Sequence, residues 1–181
     1  MSRDRERAWS FLLYGIMVLY FILLSTMLLY GFSSPIGGFG GVRGNYRGLN
    51  LIPFRSITSY LTGRIIFPYL INNLLGNIVV FVPMGIYISL LRKSKGVFIS
   101  LLYVFFVSLS FEVLQYIFAR GTCDIDDVLL NCLGGLIGII VYKCLRFFLK
   151  KEERVRSAIT VLAAIIGIPV FVYLMIDIMR K

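Results

Sequence analysis

No Asp, Glu, Lys or Arg occurs from Ile65 to Leu91, from Ala8 to Val42, from Gly96 to Phe111, from Val128 to Tyr142 or from Ser157 to Ile176. A helix that crosses the hydrocarbon core of a bilayer needs about 20 predominantly apolar residues. Backbone N–H and C=O groups meet no water there, so each such run must satisfy them internally, as a helix. Of the 181 residues, 59% are hydrophobic and 15% charged, whereas a soluble domain carries about 25% charged residues. The expected fold is an all-α integral membrane protein, a single domain over residues 1–181 with five transmembrane helices. Their expected ranges are 9–30, 72–91, 96–118, 125–145 and 157–176, with a long loop at 31–71. The apolar run after the basic segment Met1–Arg7 is longer than the ~7–15 residues of a signal-peptide core, and no A-x-A-like site follows it. Pro83, and Gly167 with Pro169, mark expected bends in the second and fifth helices.

The positive charge sets an expected orientation. With the N-terminus inside, the cytoplasmic side carries Arg3, Arg5, Arg7, the cations of Arg92–Lys95 and those from Lys143 to Arg156, twelve of the nineteen Lys and Arg. Cytoplasmic loops carry the excess of Lys and Arg, so the N-terminus is expected in the cytoplasm and the C-terminus outside. The net charge of +10 then reports topology and anionic lipid rather than nucleic acid. The Gly- and Arg-rich stretch Ile36–Gly48 reads as an exposed loop. There is no histidine, which removes imidazole bases and ligands. The three cysteines lack metal-ligand spacing; Cys132 and Cys144 read as small apolar packers, and Cys123 as a lone thiol at the outer surface.

Against this background one stretch stands out. Phe111–Gly138 places Glu112, Gln115, Arg120, Asp124, Asp126, Asp127 and Asn131 within or beside apolar runs, and ionisable residues at bilayer depth mark functional sites. The second helix enters from the outside with Asn73 and Asn77, spaced i,i+4 on one face. The third leaves towards the same side with Ser108, Glu112 and Gln115. The fourth starts there with Asp124, Asp127 and Asn131, and its stripe continues into Gly134 and Gly138, a small-xxx-small pair that lets helices approach closely. The polar residues are therefore expected to converge at one depth. Plain structural roles compete with a site: Asp124, Asp126 and Asp127 suit a helix N-terminus, and the amides suit interhelical hydrogen bonds. Glu112 fits such a role least, and Arg120 or a ligand cation is its expected compensation.

Several segments in order resemble the VanZ family of small membrane proteins. They are Asn50-Leu51-Ile52-Pro53-Phe54, Asn73-Leu74-Leu75-Gly76-Asn77, Phe81-Val82-Pro83-Met84-Gly85, Phe111-Glu112-Val113-Leu114-Gln115, Arg120, Asp124-Ile125-Asp126-Asp127, and Asn131 with Gly134-Gly135. Together they cover residues 50–138. The resemblance implies a multi-pass protein of the bacterial cell membrane, with low-level resistance to teicoplanin and related lipoglycopeptides as its phenotype. It supplies no catalytic residues.

The expected site thus comprises Asn73, Asn77, Glu112, Gln115, Arg120, Asp124, Asp127 and Asn131, joined from the loop by Asn50 and Arg55. The leading expectation is a non-catalytic protein, without cofactor or metal, that engages a membrane lipid, a lipid-linked cell-wall precursor or the lipoglycopeptide itself. In it Glu112, Asp124 and Asp127 hold an ammonium group or cation, and Arg55 and Arg120 meet phosphate. The alternatives are a membrane enzyme that uses the carboxylates as metal ligands or as acid and base, and a small transporter, for which five spans require an oligomer.

Overall fold

The structure, a computed structural model, describes residues 3–30, 46–62, 67–92, 96–179. In chain order it contains α1 (Arg3–Tyr30), β1 (Tyr46–Asn50), α2 (Arg55–Leu61), α3 (Phe67–Arg92), α4 (Val97–Ile117), β2 (Arg120–Asp124), α5 (Ile125–Leu149) and α6 (Glu152–Met179). Five of the helices are long and apolar enough to cross a membrane. Their outward faces are apolar, with Phe11, Phe98, Phe106, Phe147, Phe148, Ile165 and Ile166 exposed, while Ser100, Ser108, Glu112 and Asn131 are buried. Apolar exposure on this scale is foreign to soluble monomers and natural in lipid.

Several boundaries differ from expectation, each for a local reason. Helix α6 begins at Glu152, ahead of the expected start at 157, because Glu152 and Glu153 suit a first helical turn and Arg156 bonds Glu152 one turn away at 3.2 Å. The two helices α5 and α6 join at Lys150, which takes a φ of 57° while its N–H donates to the Arg146 carbonyl at 3.0 Å, a left-handed cap. Helix α3 starts at Phe67, so the segment 31–71 is shorter as a loop than expected, and within it lie β1 and α2. Pro83 lies inside α3 and Pro169 inside α6.

The chain forms two compact units. One combines Met1–Leu24 with Tyr142–Lys181, where Leu13, Leu24, Val155 and Ile159 are buried. The other, Ser25–Val141, holds the polar stretches and is built on α3, α4 and the first part of α5. As the chain descends from Asp124 into α5 through Asn131 to Gly135, its partners on α4 run from Glu112 through Ser108 to Val104, so these two helices are antiparallel. Its partners on α3 instead rise from Asn77 through Ile78 to Val82, so α3 and α5 are parallel. A side chain at Gly134 would run into the Ile78 carbonyl, one at Gly138 into the Val82 carbonyl and one at Gly85 into the Gly135 carbonyl. The helices therefore touch backbone to backbone, as the small-xxx-small spacing implied.

The all-α expectation also missed a ladder. β1 and β2 pair in parallel, with Tyr46 opposite Arg120 and Asn50 opposite Asp124. Arg47 Nη2 donates to the carbonyl of Ile117 at 3.1 Å, which satisfies one of the orphan carbonyls at the end of α4. Ala119, with a φ of 53°, turns the chain from α4 into β2.

Candidate functional site

The ladder brings two of the sequence segments, Asn50–Phe54 and Asp124–Asp127, into direct contact at the end of the unit where α3 and α5 run inward and α4 ends. Asp124 precedes α5 and caps it, with its Oδ1 accepting the N–H of Asp126 at 2.9 Å. The same oxygen accepts Asn50 Nδ2 at 3.0 Å, and Oδ2 accepts the Ser56 hydroxyl at 2.5 Å. Asn50 Nδ2 also reaches Ser56 Oγ at 3.0 Å.

Asp126 lies in the first turn of α5, yet it serves a different helix. Its carboxylate accepts the N–H groups of Phe54 at 2.5 Å, Ser56 at 2.8 Å and Ile57 at 3.3 Å, all at the start of α2. These are donors that a helix N-terminus leaves without intrahelical partners. Phe54 presents its N–H by adopting a φ of 64°, a conformation costly for a residue with a side chain. The sequence suits Asp126 to the N-terminus of its own helix and places Ser56 in no motif. The signal available was Asn-Leu-Ile-Pro-Phe in one segment and Asp-Ile-Asp-Asp in another. What was missing was their pairing.

Beneath this layer lies a second. Glu112, 3% exposed on α4, accepts the Asp124 N–H through Oε2 at 2.9 Å. Asp127, half-buried on α5, accepts Asn77 Nδ2 from α3 at 2.7 Å. Asp127 and Asp124 are charge neighbours of Glu112, and Asp124 and Asp126 of Asp127, so four carboxylates share one region. A third layer follows one turn deeper, where Asn131 Nδ2 donates to Ser108 Oγ at 2.9 Å and both residues are fully buried. Below it the stripe turns to glycine and valine.

Of the expected site residues, Asn50, Asn77, Glu112, Asp124, Asp127 and Asn131 are gathered in these layers. Gln115 is half-buried on α4, nearly a turn beyond Glu112. Arg55 is exposed at the first position of α2 and forms no ion pair with a described residue, so it does not join the cluster. The side chains of Asn73 and Arg120 lie outside the described residues, and the expected compensation of Glu112 by Arg120 lies outside them as well. Asp124, expected as a ligand-holding carboxylate, accepts protein donors on both of its oxygens. Among the described residues, no three His, Cys, Asp or Glu side chains are arranged to hold a metal ion. Cys123, opposite Leu49 in the ladder, is half-buried, and burial first, then the nearby Glu112 and Asp124 carboxylates, push its thiol pKa up.

The segments that build these layers fall inside a family match. The family model described as VanZ/LLP1 matches residues 11–150. Protein VanZ of Enterococcus faecium is 29% identical over 128 residues, which cover 71% of this chain and 71% of that protein. No solved structure matches the chain. With the family model extending over most of its length and through every layer of the polar cluster, the chain belongs to the VanZ/LLP1 family.

Proposed function

We propose that this protein lies in the bacterial cell membrane with the polar cluster towards the outer face, and that it lowers susceptibility to teicoplanin and related lipoglycopeptides. It does so by engaging a lipid-linked headgroup or the drug at that cluster, so that less drug reaches its membrane-bound target. The observation that carries this reading is the meeting of α3, α4 and α5 at Asn77, Glu112 and Asp127, which concentrates acceptors in an otherwise apolar unit. The helix starts they cap account for Asp124 and Asp126, but Glu112 and Asp127 stand deeper, where charge is costly and marks function.

The reading is of a binding protein rather than an enzyme. Asp124 and Asp126 are occupied as acceptors for backbone and side-chain donors, and the chain has no histidine to act as base. The test is teicoplanin susceptibility of a sensitive bacterium that expresses the protein or its Glu112→Gln and Asp127→Asn variants at equal membrane levels. Protection is expected from the parent and a marked loss from each variant. Equal protection by all three would remove the cluster from the mechanism.

A further inference from the structure

The layers differ in what they leave over. In the first, Asp124 and Asp126 have both oxygens engaged by protein donors, and Asn50 Oδ1 is the atom left without a partner among the described residues. In the second, Glu112 Oε2 and Asp127 Oδ1 are engaged, but the other oxygen of each accepts no hydrogen bond from a described residue. In the third, Asn131 is 1% exposed and donates to Ser108, while its Oδ1 has no partner among the described residues. Buried polar atoms are nearly always paired, and an exception calls for a reason.

The residues that carry the acceptors of the second and third layers lie on successive turns of α4 and α5. Asn131 follows Asp127 by one turn of α5, Ser108 precedes Glu112 by one turn of α4, and the two helices are antiparallel. The Asn131 amide therefore sits one turn beneath both carboxylates, and Asp127, being half-buried, is the member nearest to access. The surplus is all of one kind: acceptors, two of them on carboxylates. Among the described residues, the Arg156–Glu152 ion pair lies on α6, and none of the four clustered carboxylates has such a partner.

We propose that Glu112, Asp127 and Asn131 bind a primary ammonium group. An R–NH3+ group offers three N–H donors and one positive charge, which matches three acceptors, two on carboxylates and one on the Asn131 amide. A quaternary ammonium has no N–H to give to Asn131. A calcium ion takes six to eight oxygen ligands, more than remain here. This deepens the functional reading above, on which the carrier of the ammonium rests: a lipid headgroup or a soluble, drug-borne amine.

The test uses the full chain in nanodiscs of phosphatidylcholine, with and without added phosphatidylethanolamine, and reads the thermal unfolding midpoint. In phosphatidylcholine alone, methylammonium, tetramethylammonium and sodium chlorides are compared at equal ionic strength. The midpoint is expected to rise with methylammonium or with phosphatidylethanolamine, and not with the other two salts. Glu112→Gln and Asp127→Asn each remove a charged acceptor and are expected to weaken the response by roughly tenfold or more in ligand concentration, while Glu152→Gln responds as the parent does. A response to the lipid alone assigns the ammonium to a headgroup, and a response to methylammonium alone to a soluble or drug-borne amine.

The proposal is overturned if the parent responds to neither source, or equally to methylammonium, tetramethylammonium and sodium. That comparison needs no variant and stands even where a variant fails to fold. A response that survives both substitutions overturns it too. Loss of teicoplanin protection in Glu112→Gln without any ammonium response would sink the ligand class and leave the function reading standing. An ammonium response abolished by Glu112→Gln, with protection unchanged, would do the reverse.

Discussion

Removal of the Asp126 carboxylate strips the partner from the N–H groups of Phe54, Ser56 and Ile57 at once. Hydrogen bonds to a charged group contribute about 1.5–3 kcal/mol each and are not additive, so Asp126→Ala is expected to cost about 3 kcal/mol. Asp126→Asn keeps one acceptor and should cost less. Denaturant unfolding in micelles measures both, with exposed Glu153→Gln expected within about 0.5 kcal/mol of the parent. Phe54 offers a comparison between two variants. Its φ of 64° suits glycine, so Phe54→Gly should be about 1 kcal/mol more stable than Phe54→Ala. Cys123 reports on the second layer. The thiolate is the form that reacts, and burial with two acidic neighbours holds the thiol above its ordinary value of 9.0. Its alkylation rate should therefore keep climbing past that pH. In Glu112→Gln one negative neighbour is gone, the titration moves down, and the rate below pH 9.0 should rise.

The helices meet through glycine, and this makes their sensitivity uneven. Gly134→Ala places a methyl against the Ile78 carbonyl, and Gly138→Ala against that of Val82. Overpacking of this kind costs about 1–3 kcal/mol. Gly167 on α6 has open space around it, so Gly167→Ala should be neutral or gain up to about 1 kcal/mol of helix propensity. A comparison of the three variants by unfolding in micelles separates a packing role from mere intolerance of change. The spacing of Asn77, Glu112, Asp127, Asn131 and Gly134 was readable because a helix repeats every ~3.6 residues, and a polar stripe in an apolar helix declares which face meets a neighbour. The pairing of β1 with β2 was not. Tyr46–Asn50 and Arg120–Asp124 show no alternation of apolar and polar residues. The ladder is held by what Asn50, Ser56 and Asp124 do together, a property that belongs to neither segment alone. For the same reason Asp126 looked like a cap for its own helix.

At the scale of the whole molecule, the distribution of Lys and Arg makes orientation the main testable claim, with Cys123 as its reporter. With Cys132 and Cys144 replaced by alanine, a membrane-impermeant maleimide applied to intact cells should label Cys123 slowly but measurably, and prior permeabilisation should add little. Labelling that requires permeabilisation would place the polar cluster on the cytoplasmic side and remove the outer-face reading. The parallel ladder has a bearing on biogenesis as well. Asn50 lies 74 residues before its partner Asp124. At about 5–20 residues per second, ribosomes need on the order of 4–15 s to cover that distance. Throughout that interval the nascent Asn50, Phe54 and Ser56 have no Asp124 or Asp126 to bind, and two more hydrophobic segments must be threaded before those residues emerge. The cluster can thus close only after α3 and α4 have been made, and a ribosome stalled before codon 127 would leave a membrane-inserted chain without it.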